Sequence, residues 1–207
     1  MSLTKEEGSI LVSTARRAIF HYLNTARRIP LPEVFQRLRE KRGVFVTLNK
    51  LERERKTLRG CIGYPLPVMP LIEAAIAAAI SAAVEDPRFP PVDPSELSRI
   101  QVEVSVLTPP EMILEADRSR LPQHVRVGVD GLIAERGFNK GLLLPQVPVE
   151  WGWNAEEFLG QTCLKAGLPT TSWLERDVKI QRFQAQIFEE TAPEGEVEER
   201  PLGAESC

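Results

Sequence analysis

Residues 44–63 read VFVTLNKLERERKTLRGCIG and predict a β-hairpin. Every second residue from Val44 to Leu48 is aliphatic, which is the period of a strand with one buried face. The charged segment 50–56 is the predicted solvated turn, and the glycine-rich strand that ends at Gly63 would return antiparallel to the first. A hairpin favours an antiparallel sheet over strand–helix–strand units, so this stretch predicts an α+β fold.

The segments around the hairpin predict the same class of fold. Residues Thr4–Glu7 form a capping box that starts a helix ending near Asn24. The alanine-rich segment Leu71–Val84 predicts a thin helix that lies close against a sheet. Further elements are predicted as a short helix at Glu33–Arg39, strands at Gln101–Leu107, Val125–Val129, Leu132–Glu135, Leu142–Leu144 and Val178–Phe188, an extended proline-spaced segment at Pro145–Glu150, and a helix at Asn154–Ala166.

Two of these strands carry more specific predictions. Within Gln101–Leu107 the valines are predicted to face the core, while Glu103 and its polar neighbours face solvent. Asp130 and Gly131 tolerate a positive φ, so they are predicted to form the turn of a second hairpin that joins Val125–Val129 to Leu132–Glu135.

Length and composition are those of a globular protein. The chain has 207 residues, of which 43% are hydrophobic and 27% charged, enough for one large domain or two joined lobes. No apolar run reaches the length needed to cross a membrane, and Met1–Glu7 lacks the apolar core of a secretory signal. These features predict a cytoplasmic protein with no membrane partner.

The cysteines and histidines predict neither a disulfide framework nor a bound metal. Cys61, Cys163 and Cys207 are widely separated, and His21 and His124 are the only histidines. This spacing lacks the paired ligands of a structural zinc site. Cys163 falls inside a predicted helix and is interpreted as a packing residue.

Charge is unevenly distributed along the chain. Residues 27–59 contain 11 Lys/Arg against 4 Asp/Glu, whereas residues 189–207 contain 7 Glu and one Arg. A basic stretch can attract nucleic acid, but this one has few aromatic residues for base stacking, so a solvated face is the preferred interpretation. The acidic end has little apolar content, which predicts a disordered tail at 191–207 after a folded part at 1–190.

The segment Leu58–Gly63, LRGCIG, is the predicted functional site. Glycine in a strand forfeits packing, so two glycines around a cysteine mark a bulge, a bend or a close approach. With a period of two, Arg59 and Cys61 share one face, and a guanidinium beside a thiol favours the reactive thiolate. The alternative is that Cys61 is a small inert core residue, a common environment for free cysteine.

Six motifs carry a resemblance to a known family. They are GVFVTL at 43–48, LRGCIG at 58–63, AAVEDPRF at 82–89, EVSVLT at 103–108, GLLLPQVPVE at 141–150 and TCLKAG at 162–167. Together they resemble the AMMECR1 family, also seen as component A of the AmmeMemoRadiSam system. The resemblance implies an α+β fold of a larger and a smaller lobe, with the cysteine motif near the cleft between them. It also implies a pathway shared with Memo-like and radical-SAM proteins, but no settled activity.

Two functional interpretations are open at this point. In the first, the protein is an enzyme or enzyme component in which Cys61 is the nucleophile or a thiolate ligand and Arg59 is its electrostatic partner. The extended loops would supply Glu85, Asp86 or Glu150 as acid/base groups. The alternative for Glu85 and Asp86 is a salt bridge with the nearby loop arginine. The alternative for Glu150 is a capping or turn hydrogen bond.

In the second interpretation the same site binds without making bonds. Gly60 and Gly63 would let a partner backbone or an unidentified small molecule approach closely, while Arg59 anchors an anionic group. Arg88 and Gln146 would complete the cleft. This interpretation needs no base, and a Memo-like protein is the expected partner. A nucleic-acid partner is the third and least supported alternative.

Overall fold

The structure, a computed structural model, describes residues 2–52 and 55–200. The chain divides into two compact units. The first contains the residues described up to Leu107 together with the segment from Gln186 onward, and the second is Thr108–Ala185. Each unit combines helices with antiparallel strand pairs, so the predicted α+β class is confirmed.

The helices and strands of both units are numbered in chain order. The α-helices are α1 (Lys5–Thr25), α2 (Leu71–Val84), α3 (Gln146–Glu150) and α4 (Ala155–Lys165). The strands are β1 (Val44–Glu52), β2 (Arg55–Tyr64), β3 (Ile100–Leu107), β4 (Glu111–Met112), β5 (Gly131–Arg136), β6 (Asn139–Leu143), β7 (Lys179–Phe183), β8 (Ala185–Glu190) and β9 (Val197–Arg200). Short 3-10 helices span Gln36–Arg39, Pro94–Arg99, Arg118–His124 and Ser172–Leu174. Among the described helices, none is long and apolar enough to cross a membrane.

The first unit contains a sheet with strand order β2-β1-β3-β8-β9. The predicted hairpin is its β1–β2 pair, which is antiparallel from Val44 opposite Tyr64 to Glu52 opposite Arg55. The prediction of a solvated turn at 50–56 is therefore wrong for the described part of that segment, which is strand. Charged side chains are compatible with a strand here because Glu52, Arg55 and Lys56 remain exposed to solvent.

A β-bulge interrupts the hairpin at the second residue of the LRGCIG motif. Leu48 pairs with Gly60, but its neighbour Asn49 pairs with Leu58, so Arg59 is the extra residue. A shift of one residue moves side chains to the opposite face of a strand. Leu58, which the period of two placed in the core, is consequently exposed.

Helices α1 and α2 pack together on one face of this sheet. The predicted capping box of α1 is confirmed, since Thr4 Oγ1 accepts the Glu7 N–H at 3.2 Å and Glu7 Oε2 accepts the Thr4 N–H at 2.8 Å. The small side chains of α2 let it lie close to β2. A methyl group at Gly60 would collide with the carbonyl oxygen of Ala82 in α2.

Strand β3 is buried on both faces, in contrast to the prediction of a half-buried strand. Gln101, Glu103 and Ser105, which were predicted to face solvent, are all buried. β3 lies between β1 and β8, and its outward side chains are covered by neighbouring side chains, such as that of Arg200 over Glu103. The buried carboxylate of Glu103 is stabilised by Arg200 of β9, whose Nη1 lies 3.2 Å from Glu103 Oε2.

The second unit contains a sheet with strand order β4-β7-β5-β6, with α4 packed on β5 and β6. The predicted pairing of Val125–Val129 with the strand after Asp130 is wrong. β5 instead pairs with β6, across a tight turn in which Gly137 has a φ of 60°. Asp130 is buried, and its carboxylate accepts the Arg126 N–H at 2.9 Å, which holds the chain before β5 in a turn.

Two further predictions for the second unit are wrong. The segment Pro145–Glu150 is not extended, because Pro145 and Pro148 lie at the start of α3, where proline has no helical hydrogen bond to break. The segment Val178–Phe188 is not one strand. It divides at Gln184 into β7 of the four-stranded sheet and β8 of the five-stranded sheet.

The acidic end differs from the predicted disordered tail at 191–207. Residues Val197–Arg200 form β9, which pairs antiparallel with Ile187–Glu190 of β8. The link between the two strands turns at Glu194, which has a φ of 62°. Strand pairing and ion pairs compensate for the low apolar content of this segment. The predicted tail from 201 to 207 lies outside the described residues.

Candidate functional site

Three side chains form a row across the five-stranded sheet. Cys61 of β2 lies opposite Thr47 of β1, which in turn lies opposite Glu103 of β3. Residues in register on neighbouring strands project from the same face, so we call these three the polar row. Val46 and Leu48, which alternate with Thr47, are buried in the core with α1 and α2. The polar row therefore lies on the face of the sheet away from these helices.

The Thr47 hydroxyl links the polar row. It donates a hydrogen bond to Cys61 Sγ at 3.4 Å. Opposite residues on neighbouring strands have Cα atoms about 4.5–5.5 Å apart, so Cys61 and Glu103 are separated by about 10 Å with Thr47 between them. Cys61 and Thr47 are half-buried, whereas Glu103 is buried. The row thus runs from a partly accessible thiol to a covered carboxylate.

The Cys61 thiol is protonated at neutral pH. Burial raises the pKa of Cys61 above its ordinary value. The Thr47 hydrogen bond and the charge of Arg88 lower this pKa, and the charges of Glu103 and Asp86 raise it further, with burial dominant. A neighbouring guanidinium, that of Arg88, does favour the thiolate as predicted, but burial of the thiol outweighs it.

The other described cysteine is in a different environment. Cys163 of α4 is fully buried, and burial raises its pKa to about 11. This agrees with the interpretation of Cys163 as a packing residue. Cys61 is more accessible than Cys163, so the two thiols are distinguishable by their reactivity.

Glu103, like Thr47, is a site residue that was not predicted from the sequence. Burial raises the pKa of its carboxyl group, and the charges of Arg200 and Lys56 act in the opposite direction. Ser105 Oγ also donates to Glu103 Oε1 at 3.4 Å. The available indication was a glutamate in the middle of a valine-rich strand, which the half-buried interpretation of β3 assigned to solvent.

Asp86 holds the backbone of Cys61. Its Oδ2 accepts the Cys61 N–H at 2.8 Å, and its two oxygens accept Arg88 Nε at 2.9 Å and Arg88 Nη2 at 2.7 Å. The Arg88 guanidinium keeps the pKa of the Asp86 carboxyl well below its usual range. Asp86 therefore remains an ionised acceptor at neutral pH, which fits the alternative of a loop salt bridge with Arg88 better than a role as acid or base.

Arg88 is the cation that acts on the thiol. Its Nη2 donates to the Cys61 carbonyl oxygen at 3.3 Å, and its guanidinium carbon lies 5.4 Å from the centre of the Phe89 ring. The side chain is 52% exposed, although its partner Asp86 is covered. Arg88, which was predicted as a site residue, therefore places a fixed guanidinium beside Cys61.

Arg59 points elsewhere, contrary to the predicted pairing with the thiol. Its guanidinium forms an ion pair with Glu96, with Nη2 and Oε1 2.9 Å apart, and donates to the carbonyl oxygens of Pro90 and Pro91. The bulge at Arg59 removes it from the alternation that would have placed it beside Cys61. In the described structure, the contacts of Arg59 connect β2 to the segment before β3.

The remaining residues predicted around Cys61 have structural partners. Glu85 is exposed, and its Oε2 accepts the Ser81 hydroxyl at 2.5 Å. A side chain at Gly63 would collide with the ring of Phe45. At both Gly60 and Gly63 the space is filled by the protein itself, so the predicted approach of a ligand to these glycines is not supported.

Gln146 and Glu150 belong to the second unit, where both are exposed on α3. Next to this helix, the rings of Trp151 and Trp153 stack with centroids 6.0 Å apart and planes at 17°. Trp151 is 70% exposed, so core packing does not explain it. Within residues 2–52 and 55–200, no three His, Cys, Asp or Glu side chains come together as a metal site.

Three cations of the basic stretch 27–59 lie in ion pairs near the hairpin. Lys50 and Arg59 both contact Glu96, and Lys56 contacts Glu189 at 2.7 Å. Paired cations attract phosphate groups less than free ones do. The charge of these three side chains is therefore partly neutralised within the protein.

Comparison with known proteins places this architecture in a family. The sequence model of AMMECR1 matches residues 12–188. The chain belongs to the AMMECR1 family. One relative, from Thermococcus gammatolerans, is 59% identical over 199 residues, which cover 95% of this chain and 97% of the relative. Protein TK0174 from Thermococcus kodakarensis is 57% identical with the same coverage.

A solved structure supports the same assignment. The crystal structure of uncharacterized protein PH0010 from Pyrococcus horikoshii has a TM-score of 0.86 and 54% sequence identity. The similarity covers 97% of this chain and 99% of that chain. The AMMECR1 resemblance predicted from the six motifs is confirmed.

Proposed function

We propose that this AMMECR1-family protein is an enzyme or an enzyme component whose reacting group is the Cys61 thiol. The observation that supports this most directly is the polar row, which aligns a half-buried thiol, a hydroxyl and a buried carboxylate on one face of the sheet. In this proposal the protein acts in the cytoplasm, in a pathway with Memo-like and radical-SAM proteins, as the family resemblance implies.

Glu103 is the base in this proposal. A protonated thiol is a weak nucleophile, so the reaction needs a group that takes its proton. Burial raises the pKa of Glu103, which makes its carboxylate a better base than an exposed one. Thr47 lies between the two groups in the strand register. In the resting protein its hydroxyl donates to Sγ. For the relay we propose that the hydroxyl turns, so that it accepts the thiol proton while it donates its own to Glu103. The thiolate that remains is stabilised by the charge of Arg88.

Asp86 and Arg88 position the thiol. They bind the N–H and the carbonyl oxygen of Cys61 from two side chains on one loop. A reacting atom on a fixed backbone avoids part of the entropic cost of reaching the productive geometry. This role needs no change in the protonation of Asp86, which agrees with its lowered pKa.

A complementation experiment tests the proposal. A strain lacking its own copy of the gene receives the wild-type chain or a variant, and extracts are compared by untargeted mass spectrometry. We expect Cys61→Ser to give the metabolite profile of the deletion strain while it folds normally. We expect Glu103→Gln to lower the dependent products by at least about 100-fold, the usual contribution of a general base.

The matched control is Cys163→Ala, which removes the buried packing thiol of α4. Its profile should be that of the wild type. A wild-type profile from Cys61→Ser, in protein with unchanged far-UV and near-UV circular dichroism, contradicts the proposed thiol chemistry.

A non-catalytic binding or scaffold module for a Memo-like partner is the second candidate function. The observation that favours it is the raised pKa of Cys61, which leaves little thiolate at neutral pH. If the protein is such a binding module, the Cys61→Ser variant should give the wild-type metabolite profile and should still co-purify with the partner. Arg88→Ala should weaken co-purification, because Arg88 is the exposed cation at the site while Arg59 is buried. A nucleic-acid partner ranks behind both, because the basic stretch has few aromatic residues for base stacking and two of its cations, Lys56 and Arg59, lie in ion pairs.

A further inference from the structure

We infer that the site beside Cys61 takes a substrate carrying a carboxylate or phosphate group, which binds to the exposed edge of the Arg88 guanidinium. This inference rests on the proposed function of Cys61 as the reacting thiol. It follows from the orientation of one ion pair, from the way in which Arg88 is fixed, and from its contact with the cysteine backbone.

The Asp86–Arg88 ion pair presents its cation and hides its anion. The Asp86 side chain is 2% exposed, whereas that of Arg88 is 52% exposed. A pair that is neutral as a whole therefore has a positive side toward solvent. A ligand that approaches from solvent meets the guanidinium before the carboxylate, and Coulomb attraction falls with distance.

The guanidinium is held in place before any ligand arrives. Asp86 binds its Nε and Nη2, the Cys61 carbonyl oxygen binds Nη2 again, and the Phe89 ring lies alongside it. A free arginine side chain loses rotamer freedom when it is ordered by a ligand. Most of that cost is already met in the folded chain, so an anion gains more from binding to it.

Donors remain on the outer edge of the guanidinium. Arginine has five N–H donors in a planar fork. Within the part of the chain that the structure describes, the oxygen acceptors of the Arg88 guanidinium are bound by Nε and Nη2, which leaves Nη1 without an oxygen acceptor, and the guanidinium also interacts with the Cys61 side chain. Carboxylate and phosphate oxygens are the acceptors that match this geometry.

An anion bound at Nη1 lies next to the thiol. Nη2 of the same guanidinium donates to the Cys61 carbonyl oxygen at 3.3 Å, and the charge of Arg88 acts on Sγ. The anionic group would therefore anchor the substrate, while an electrophilic centre a few bonds away reaches the sulfur. Glu85, the acidic residue that precedes Asp86 in sequence, accepts a hydrogen bond from the Ser81 hydroxyl.

Two alkylating reagents that differ only in charge test the inference. Iodoacetate and iodoacetamide both react with a thiolate and release iodide, so the thiolate fraction cancels when their rate constants at Cys61 are divided. We expect this ratio, read by peptide mass spectrometry at low salt, to exceed that of a neutral model thiol by about three- to tenfold. Arg88→Gln should reduce it to the value of the model thiol, and Arg88→Lys should restore part of it.

The matched control is Arg37→Gln. Arg37 is also a partly exposed arginine on a covered carboxylate, Glu7 of α1, and α1 packs on the face of the sheet opposite Cys61. Its removal takes away one positive charge from the same unit and should leave the ratio unchanged. A ratio that falls equally in Arg37→Gln and Arg88→Gln overturns the inference, because net charge would then account for it.

A second measurement is independent of thiol reactivity. Acetate and inorganic phosphate are titrated separately into the Cys61→Ser protein, and the NMR signal of Arg88 Nε–H is followed. A saturable shift with acetate identifies a carboxylate, and one with phosphate identifies a phosphate group. No shift with either anion, together with a wild-type ratio equal to that of the model thiol, overturns the inference. Loss of pathway output in Cys61→Ser is a separate result, so the two proposals fail separately.

Discussion

Replacing Asp86 by alanine has a cost that can be worked from the contacts of its carboxylate. The carboxylate accepts four hydrogen bonds, one from the Cys61 N–H and three from the backbone and side chain of Arg88. Leaving a buried donor without an acceptor costs about 1–3 kcal/mol, and hydrogen bonds to a charged group are worth about 1.5–3 kcal/mol each. Arg88 is half exposed and regains water, so we expect Asp86→Ala to lose about 2–4 kcal/mol of unfolding free energy.

Urea denaturation followed by circular dichroism and tryptophan fluorescence measures this loss. The control is Asp93→Ala, since Asp93 is an exposed aspartate that accepts the Ser95 N–H at 2.9 Å and caps a 3-10 helix. Loss of such a cap costs about 1 kcal/mol. If Asp86→Ala costs no more than Asp93→Ala, the reasoning about a buried, fully bonded carboxylate is refuted.

The pKa of the Asp86 carboxyl determines how the difference in unfolding free energy between wild type and Asp86→Ala depends on pH. Its pKa is lowered in the folded protein, first by the hydrogen bonds from Arg88, while in the unfolded chain it is about 3.9. The stability from Asp86 is therefore fully present above that unfolded value and is lost as pH falls toward the folded one. The gap between wild type and Asp86→Ala should be constant near neutrality and shrink below about pH 4. A gap that widens in acid contradicts the sign of the shift.

Three further substitutions test other parts of the structure. Glu103→Gln removes a charge that raises the pKa of Cys61, so the pH profile of iodoacetamide labelling should move to lower pH. A move to higher pH would contradict this effect of the Glu103 charge. Gly60→Ala forces a methyl group against the Ala82 carbonyl and should cost about 1–3 kcal/mol in thermal or urea unfolding, and an unchanged stability would disprove the close packing of α2. Arg59→Ala should destabilise the fold without moving the Cys61 labelling profile, whereas a shifted profile would restore Arg59 as partner of the thiol.

The elements that sequence reasoning predicted correctly are those set by local periodicity. α1 is specified by its capping box, α2 by its run of small helix-forming residues, and the β1–β2 hairpin by alternation from Val44 to Leu48. Each pattern lies within one segment and needs no information about distant partners. The AMMECR1 resemblance added the family, which periodicity alone does not give.

The failures depend on contacts between distant segments. A bulge at Arg59 reverses which residues share a face, and a period of two does not reveal where the extra residue falls. The burial of Glu103 depends on Arg200, almost a hundred residues away in sequence. The division of Val178–Phe188 at Gln184 depends on two separate sheets that each take one half.

The candidate site shows the same limit. Cys61, Asp86 and Arg88 were predicted from their motifs, and the structure brings these three together. The assignment of Arg59 to the thiol and the omission of Thr47 and Glu103 both came from treating β2 as a regular strand and β3 as half exposed. Residue types indicated the chemistry, but register decided which of them meet.

The contacts of Cys61 also determine where the sheet stops. β2 is an outermost strand of the described sheet, and such a strand offers free backbone groups to which another chain can add. At Cys61, Asp86 takes the N–H and Arg88 takes the carbonyl oxygen, so two side chains occupy the place of a neighbouring strand. The ion pair that orders the thiol thereby also protects the protein against intermolecular β-pairing, and a chain without both side chains would be prone to aggregate through β2.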